Sequence, residues 1–240
     1  MIETLSLLEI ALAILAVVAG AAVQAAIGMG LNLFTVPVLA LIDPVFVPGP
    51  VLLHSFLLSC AASYSLRADI QWRDLGISVV GLLVGTAVGI AALVAVSADV
   101  LPRVFGWLVI VGVVVTAAGL HVPLTTPALV GASTVSGAMG TVAGMHGPPI
   151  GLLYQRESPS RVRSALLPFF MVANALSLIA LAAIGRFGWP ELYASALLIP
   201  GLVVGFLAAP FLMRLLSPRA IRFSLLAISG VSGLLLVLKG

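Results

Sequence analysis

Hydrophobic side chains run through this sequence in eight long blocks, roughly 5–42, 48–66, 75–96, 101–120, 126–155, 164–184, 192–213 and 220–238, parted by short breaks that carry charge or proline. A helix that crosses a bilayer needs about 20 mostly apolar residues, so these blocks have the length of membrane spans. Only 8% of the 240 side chains are charged and 62% are hydrophobic, whereas soluble domains carry roughly 25% charge. With a mean hydropathy of +1.27, the chain lacks the polar side chains needed to face water, and the bilayer must be its main solvent. The runs are continuously apolar, whereas barrel strands alternate over about ten residues. An all-α polytopic membrane protein with about eight hydrophobic segments is therefore expected. This excludes a soluble enzyme, a disordered regulator and a nucleic-acid-binding module, since the net charge of +3 is spread over loops.

Cys60 is the single cysteine, which leaves no intrachain disulfide, no CxxC pair and no thiolate metal cluster. The opening Met1-Ile2-Glu3 lacks the basic start of a secretory signal, so the first segment is expected to be retained as a span. The sequence holds no His/Asp/Glu metal spacing, no GxSxG elbow and no Walker loop. No catalytic residue, metal or cofactor is expected.

Two blocks contain glycine-rich interruptions, Ile27-Gly28-Met29-Gly30-Leu31-Asn32 and Ala143-Gly144-Met145-His146-Gly147-Pro148-Pro149, set 116 residues apart. Gly81 and Gly85 recur as Gly201 and Gly205, Ser97 as Ser217, and Trp72 as Trp189 at a similar offset, and His54 falls 120 residues before Asn174. The chain reads as two internal repeats of about 120 residues, 1–120 and 121–240, together one transport domain. Each repeat starts with a glycine-broken helix or a hairpin.

Non-helical backbone in a bilayer leaves N–H and C=O groups unpaired at several kcal/mol each, unless protein or a water-filled cavity receives them. A helix that restarts after a glycine turn presents free N–H groups and the positive end of its dipole, both of which favour an anion. The expected substrate-binding residues are Gln24, Gly28, Met29, Gly30, Asn32, His54, Gly144, Met145, His146, Gly147 and Asn174. His54 and His146 are the candidates for proton coupling, because an unperturbed histidine changes charge near pH 6.5, roughly. Close helix packing is the alternative use of Gly-x-Gly, and it is the reading preferred for Gly81, Gly85, Gly201 and Gly205. Glu9 reads as interfacial, His121 as loop, and Asp69 and Asp74 as a surface turn around Trp72.

Arginine and lysine mark the cytoplasmic side. If each broken block crosses once, they divide seven against four; if each folds as a hairpin, Arg67 and Arg73 join the rich side, Arg103 leaves it, and the division is eight against three. Hairpins would also make the repeats inverted rather than parallel and would put the loops near Asp69 and Arg186 on opposite sides. Both readings place 156–163 and 214–222 in the cytoplasm and the termini outside.

Gln24-Ala25-Ala26-Ile27-Gly28-Met29-Gly30 followed by Pro37, Arg67-Ala68-Asp69-Ile70-Gln71-Trp72-Arg73, and Gly144-Met145-His146-Gly147-Pro148-Pro149 with Leu153-Tyr154 beyond resemble the sulfite exporter TauE/SafE family of sulfonate-type permeases. Arg161-Val162-Arg163 leading to Asn174 also matches. The resemblance spans essentially the whole chain and implies a duplicated inner-membrane carrier for sulfur-containing or related organic anions, without ATP. His146 departs from it, standing where relatives more often have glycine. The expected function is a secondary transporter of a sulfonate, sulfite or related carboxylate by alternating access, with an anion channel or a non-transporting structural subunit as the alternatives. The expected partners are a small anion, the lipid bilayer, protons and a second copy of the chain in a homodimer, with no nucleic acid. On this reading Gly28→Val and Gly144→Val abolish binding, while Gly85→Ala is tolerated.

Overall fold

A computed structural model describes residues 5–97, 100–119, 122–215 and 218–239, and the side chains of all of these except 212–215, 218–222 and 239. The described residues are helical, with no strand: α1 (Leu7–Ile27), α2 (Leu31–Ile42), α3 (Gly49–Ser65), α4 (Trp72–Ala95), α5 (Leu101–Ala117), α6 (Thr126–Ala143), α7 (Gly147–Leu153), α8 (Pro159–Ala183), α9 (Trp189–Leu215) and α10 (Pro218–Lys239). Ten helices stand where eight segments are expected, because each glycine interruption divides its block in two. Five are long and apolar enough to cross a membrane: α1, α3 with the 3-10 turn before it, α4, α8, and α9 as far as Phe211. The expected positions of His121 and Ser217, and of the Arg214, Arg219, Arg222 and Lys239 side chains, lie outside the described residues.

Local chemistry sets the helix ends. Ser6 and Glu9 exchange hydrogen bonds in a capping box at the start of α1, which accounts for the carboxylate beside Leu7 and Leu8. Thr125 and Ser158 cap α6 and α8, and prolines occupy the first turns of α5 to α8, where a missing N–H costs nothing. The helices α1 and α6 stop at Gly28 and Gly144, both left-handed with φ +93° and +76°, a conformation open to glycine at little cost. Each closes its helix by donating its N–H to a carbonyl one turn back, Gln24 at 2.8 Å and Gly140 at 2.7 Å.

After each stop the chain folds back. Gly20 of α1 lies against Leu31 and Thr35 of α2, and Leu12, Leu15 and Ala16 share a groove with Phe34, Val38 and Ile42. Likewise α7 packs on α6, the His146 ring lies against Gly140, and Ala128, Ala132, Val135 and Met139 share a groove with Pro148, Pro149 and Leu153. Both broken blocks are hairpins, and their tips come from opposite ends of the molecule. At one end Gly28 abuts Arg163 and Tyr154 donates to Asp74 at 3.4 Å. At the other, Gly49 faces Phe187 and Glu191, and Arg186 donates to the Leu93 carbonyl at 3.3 Å. Helix α4 runs the distance between these ends, about 30 Å at 1.5 Å per residue, so Asp69 and Arg186 lie at opposite ends.

Small residues set the closest helix contacts. Along α4, Gly81, Gly85 and Gly89 meet the backbone or Cβ atoms of Val130, Ser133, Thr134, Ala138 and Thr141 on α6; Gly201 and Gly205 of α9 meet Ile14 and Val18 of α1. In lipid, where apolar surface gives no net drive between helices, such approach supplies the dispersion that holds them. Side chains such as Leu83, Val88, Leu207, Phe211 and Val231 remain exposed, which is costly in water and free in hydrocarbon. Trp72 and Trp189, at the starts of α4 and α9, are exposed aromatic anchors.

Gly85 proves to be a poor choice of tolerated site, since a Cβ there would collide with the Thr134 carbonyl. Gly85→Ala is expected to cost about 1–3 kcal/mol through overpacking. Gly131→Ala in α6, with open space around it, should leave stability unchanged or higher. Thermal unfolding of the detergent-solubilised variants checks the contrast.

Candidate functional site

The two tips meet in the middle of the bundle. Asn32, in the first turn of α2, donates its amide N–H to the Gly144 carbonyl at 2.6 Å, so one hairpin holds the free carbonyl at the end of the other. Beside this link lies a cavity of about 20 Å³ bordered by Gln24, Met29, Gly30, Asn32 and Leu33 of the first hairpin and by His146, Gly147 and Pro148 of the second. Ser55, Thr116 and Phe170 close it. It has room for about one water molecule. No Asp, Glu, Lys or Arg borders it among the described residues.

Its polar groups are anchored from behind. Gln24 Nε2 donates to the hydroxyls of Ser55 and Ser59, each at 3.2 Å. Asn174 Nδ2 donates to Ser55 at 3.0 Å and to the Phe170 carbonyl at 2.6 Å. Ser55 therefore receives two N–H donors and keeps its own proton for a third partner, on the side where it borders the cavity. On the opposite wall, His146 Nε2 shares a hydrogen bond of 3.1 Å with Ser177, which pairs with Thr141 at 2.8 Å. Asn32 Oδ1 and His146 Nδ1 are buried without a protein partner. Helix α2 begins at Gly30 with no side-chain cap, so the N–H groups of its first turn are free to bind an acceptor. The free N–H groups and positive dipole end of α2 and the Ser55 hydroxyl are donors at this space, an arrangement that suits a small anion, while Asn32 Oδ1 is an acceptor.

Of the residues expected at the site, Gln24, Met29, Gly30, Asn32, His146 and Gly147 border the cavity. Five stand away from its lining. The α-carbon of Gly28 is covered by Arg163, and that of Gly144 faces Val51 and Val36. Met145 packs on Gly112 of α5. Asn174 stands behind Ser55, and His54 is turned to α9, where its Nε2–H donates to the Ser195 carbonyl at 3.0 Å. Valine at 28 or 144 would thus strain a left-handed turn and displace Arg163 or Val51, testing the fold more than ligand access. The hydroxyls of Ser55, Ser59, Thr141 and Ser177 were not anticipated. Ser55, Ser59 and Ser63 repeat every four residues on one buried face of α3, and that polar stripe in an apolar helix is the signal that could have revealed two of them.

A second cavity, of about 360 Å³, shares Met29, Gly30, Leu33, Thr116 and Pro148 with the first and extends to Tyr154, Gln155 and Val162 at the Arg163 end. The Met29 methyl lies against the α-carbon of Gly151, making this flexible side chain part of the wall between the two spaces.

The family model for sulfite exporter TauE/SafE matches residues 12–236. The chain belongs to the sulfite exporter TauE/SafE family. It is accordingly an integral membrane protein of an anion-exporter type, acting on a small anionic substrate from within the lipid bilayer. No curated protein and no solved structure matches the chain.

Because Asn32 is the direct polar link between the tips, Asn32→Leu should lower stability by about 1–3 kcal/mol, the cost of leaving the buried Gly144 carbonyl unpaired. Chemical denaturation in mild detergent measures it, with Gly131→Ala as the silent comparison.

Proposed function

We propose that this TauE/SafE protein is a secondary transporter that binds a small anion, a sulfonate, sulfite (as its hydrogen sulfite monoanion) or related carboxylate, between the two hairpin tips and releases it by alternating access. The observation that carries the reading is the small cavity at the uncapped start of α2, ringed by amide, hydroxyl and imidazole groups with no fixed charge among the described residues that border it. At about 20 Å³ it holds about one water, so the tips must part to admit an anion. Such a site favours one negative charge over two, because desolvation cost grows with the square of the charge and a protonated His146 would supply at most one positive charge to offset it. The wider cavity toward Arg163 is the entry or exit path on that side. Closing that path and opening the other side would require the tips to move against each other, with Met29 as the moving wall.

Two inverted halves, 1–120 and 121–240, support this mechanism. The helix α1 packs on α9 as α6 packs on α4, α2 on α10 as α7 on α5, and α3 on α9 as α8 on α4; α3 meets α8 and α5 meets α10. The corresponding helices start from opposite ends, the relation by which inverted repeats exchange two access states. Arg67, Arg73, Arg156, Arg161 and Arg163 gather at one end, which we assign to the cytoplasm of a bacterial inner membrane. In a Cys60→Ala background, a cysteine placed at position 158 should react with impermeant maleimide only from the cytoplasmic face. Reaction from outside alone would reverse the assignment.

Function is tested in proteoliposomes. Sulfite, methanesulfonate or acetate should show saturable counterflow while neutral solutes do not; flux that is never saturable and shows no counterflow would mark an anion channel, and no response at all a structural subunit. His146 is the histidine that borders the cavity, and we assign the coupling proton to it. A cationic imidazole attracts the anion, so binding should tighten as pH falls. His146→Gln should flatten that dependence and His54→Gln should preserve it, as measured by titration calorimetry across pH 5 to 8, the range in which histidine changes charge, roughly.

A further inference from the structure

The two breaks are not copies of each other, and their difference has a direction. Position 144 follows position 28 by 116 residues, and at that offset Gln24 corresponds to Gly140 and Gly30 to His146. In the first half the side chain is at position 24, and position 30 is a glycine at φ +116°, a conformation that opposes any side chain. In the second half position 140 has no side chain, and position 146 has φ −80°, which any residue accepts. The imidazole of His146 reaches back over Gly140, so that a Cβ built on Gly140 would fall within the ring. Its Nε2 is bonded to Ser177 of α8 at 3.1 Å, just as Gln24 Nε2 is bonded to Ser55 and Ser59 of α3 at 3.2 Å. Both side chains border the small cavity.

We propose that Gly140 and His146 are an exchanged pair: the imidazole occupies, from position 146, the place that Gln24 fills in the other half, and it is the specificity-determining polar group on that wall. The bound anion thus lies between an amide supplied by one half and an imidazole supplied by the other. The glycine at 140 exists to leave room for that ring. This inference rests on the reading of the chain as two halves around an anion site, and its test separates the two claims.

The test is a pair of double-mutant cycles with unliganded thermal stability and sulfite affinity as separate readouts. Gly140→Ala should destabilise the protein while His146 is present and be nearly silent when combined with His146→Gly. Gly140→Gln with His146→Gly should recover sulfite binding that each single substitution loses, with a coupling of about tenfold in Kd, within the range for residues in contact. The recovered variant should also rank sulfite against methanesulfonate differently from the wild type, a change that a purely space-filling ring would not produce. Equal cost of Gly140→Ala in both backgrounds, read on the unliganded protein, would overturn the exchange whatever happens to binding. Thermal rescue in a protein whose wild type binds no anion would uphold the exchange and remove the anion site. Rescue of stability and affinity with an unchanged anion ranking would overturn the specificity role.

Discussion

Backbone polarity in a low-dielectric interior is the constraint on which this structure turns. A helix satisfies its own N–H and C=O groups everywhere except at its ends, and here two helices end inside the bundle. The left-handed glycines close the last turns of α1 and α6, and the carbonyl of Gly144 is taken by Asn32 of the opposite hairpin. At the small cavity the first turn of α2 has no side-chain cap, and the Oδ1 of Asn32 and the Nδ1 of His146 have no protein partner. The N–H groups left free where α2 restarts are donors of the kind that suits an anion.

The architecture around them serves to bring the breaks together. Parallel packing of α4 on α6 and of α1 on α9, at glycine contacts that admit no side chain, fixes each hairpin against a long helix of the other half. The cavity side is lined by α3 and α8, whose serine and asparagine side chains orient the groups of the hairpins rather than form a separate site. Membership of the TauE/SafE family gives this arrangement its setting, a membrane transporter of an anion-exporter type.

Much of this was legible in the sequence. Apolar block length required membrane helices, and Gly28-Met29-Gly30 and Gly144-Met145-His146 marked the interruptions, because glycine accepts the left-handed turn that ends a helix and the prolines after Gly147 suit a restart. The arginine distribution favoured hairpins over single crossings, and both broken blocks fold back on themselves. Other features needed tertiary structure. Nothing local distinguishes Gly85, wedged on Thr134, from Gly131, which faces open space. His54 lies in an apolar run and His146 within a glycine break, and both were expected at the site, yet one is turned to the Ser195 carbonyl and the other borders the cavity. Serine is common in membrane helices and usually bonds its own backbone, so Ser55 and Ser177 gained significance only when the opposing amide and imidazole were placed beside them.

The central claim is that an anion rests between the hairpin tips at the start of α2, and locating a heavy anion tests it most directly. Crystals of the protein grown with selenite, a heavier analogue of sulfite, would be measured at the selenium absorption edge. The account predicts an anomalous peak bordered by Gly30, Asn32, Ser55 and His146, within hydrogen-bond reach of the first N–H groups of α2. A peak confined to the wider cavity near Tyr154 and Val162, or elsewhere on the protein with none between the tips, would contradict it.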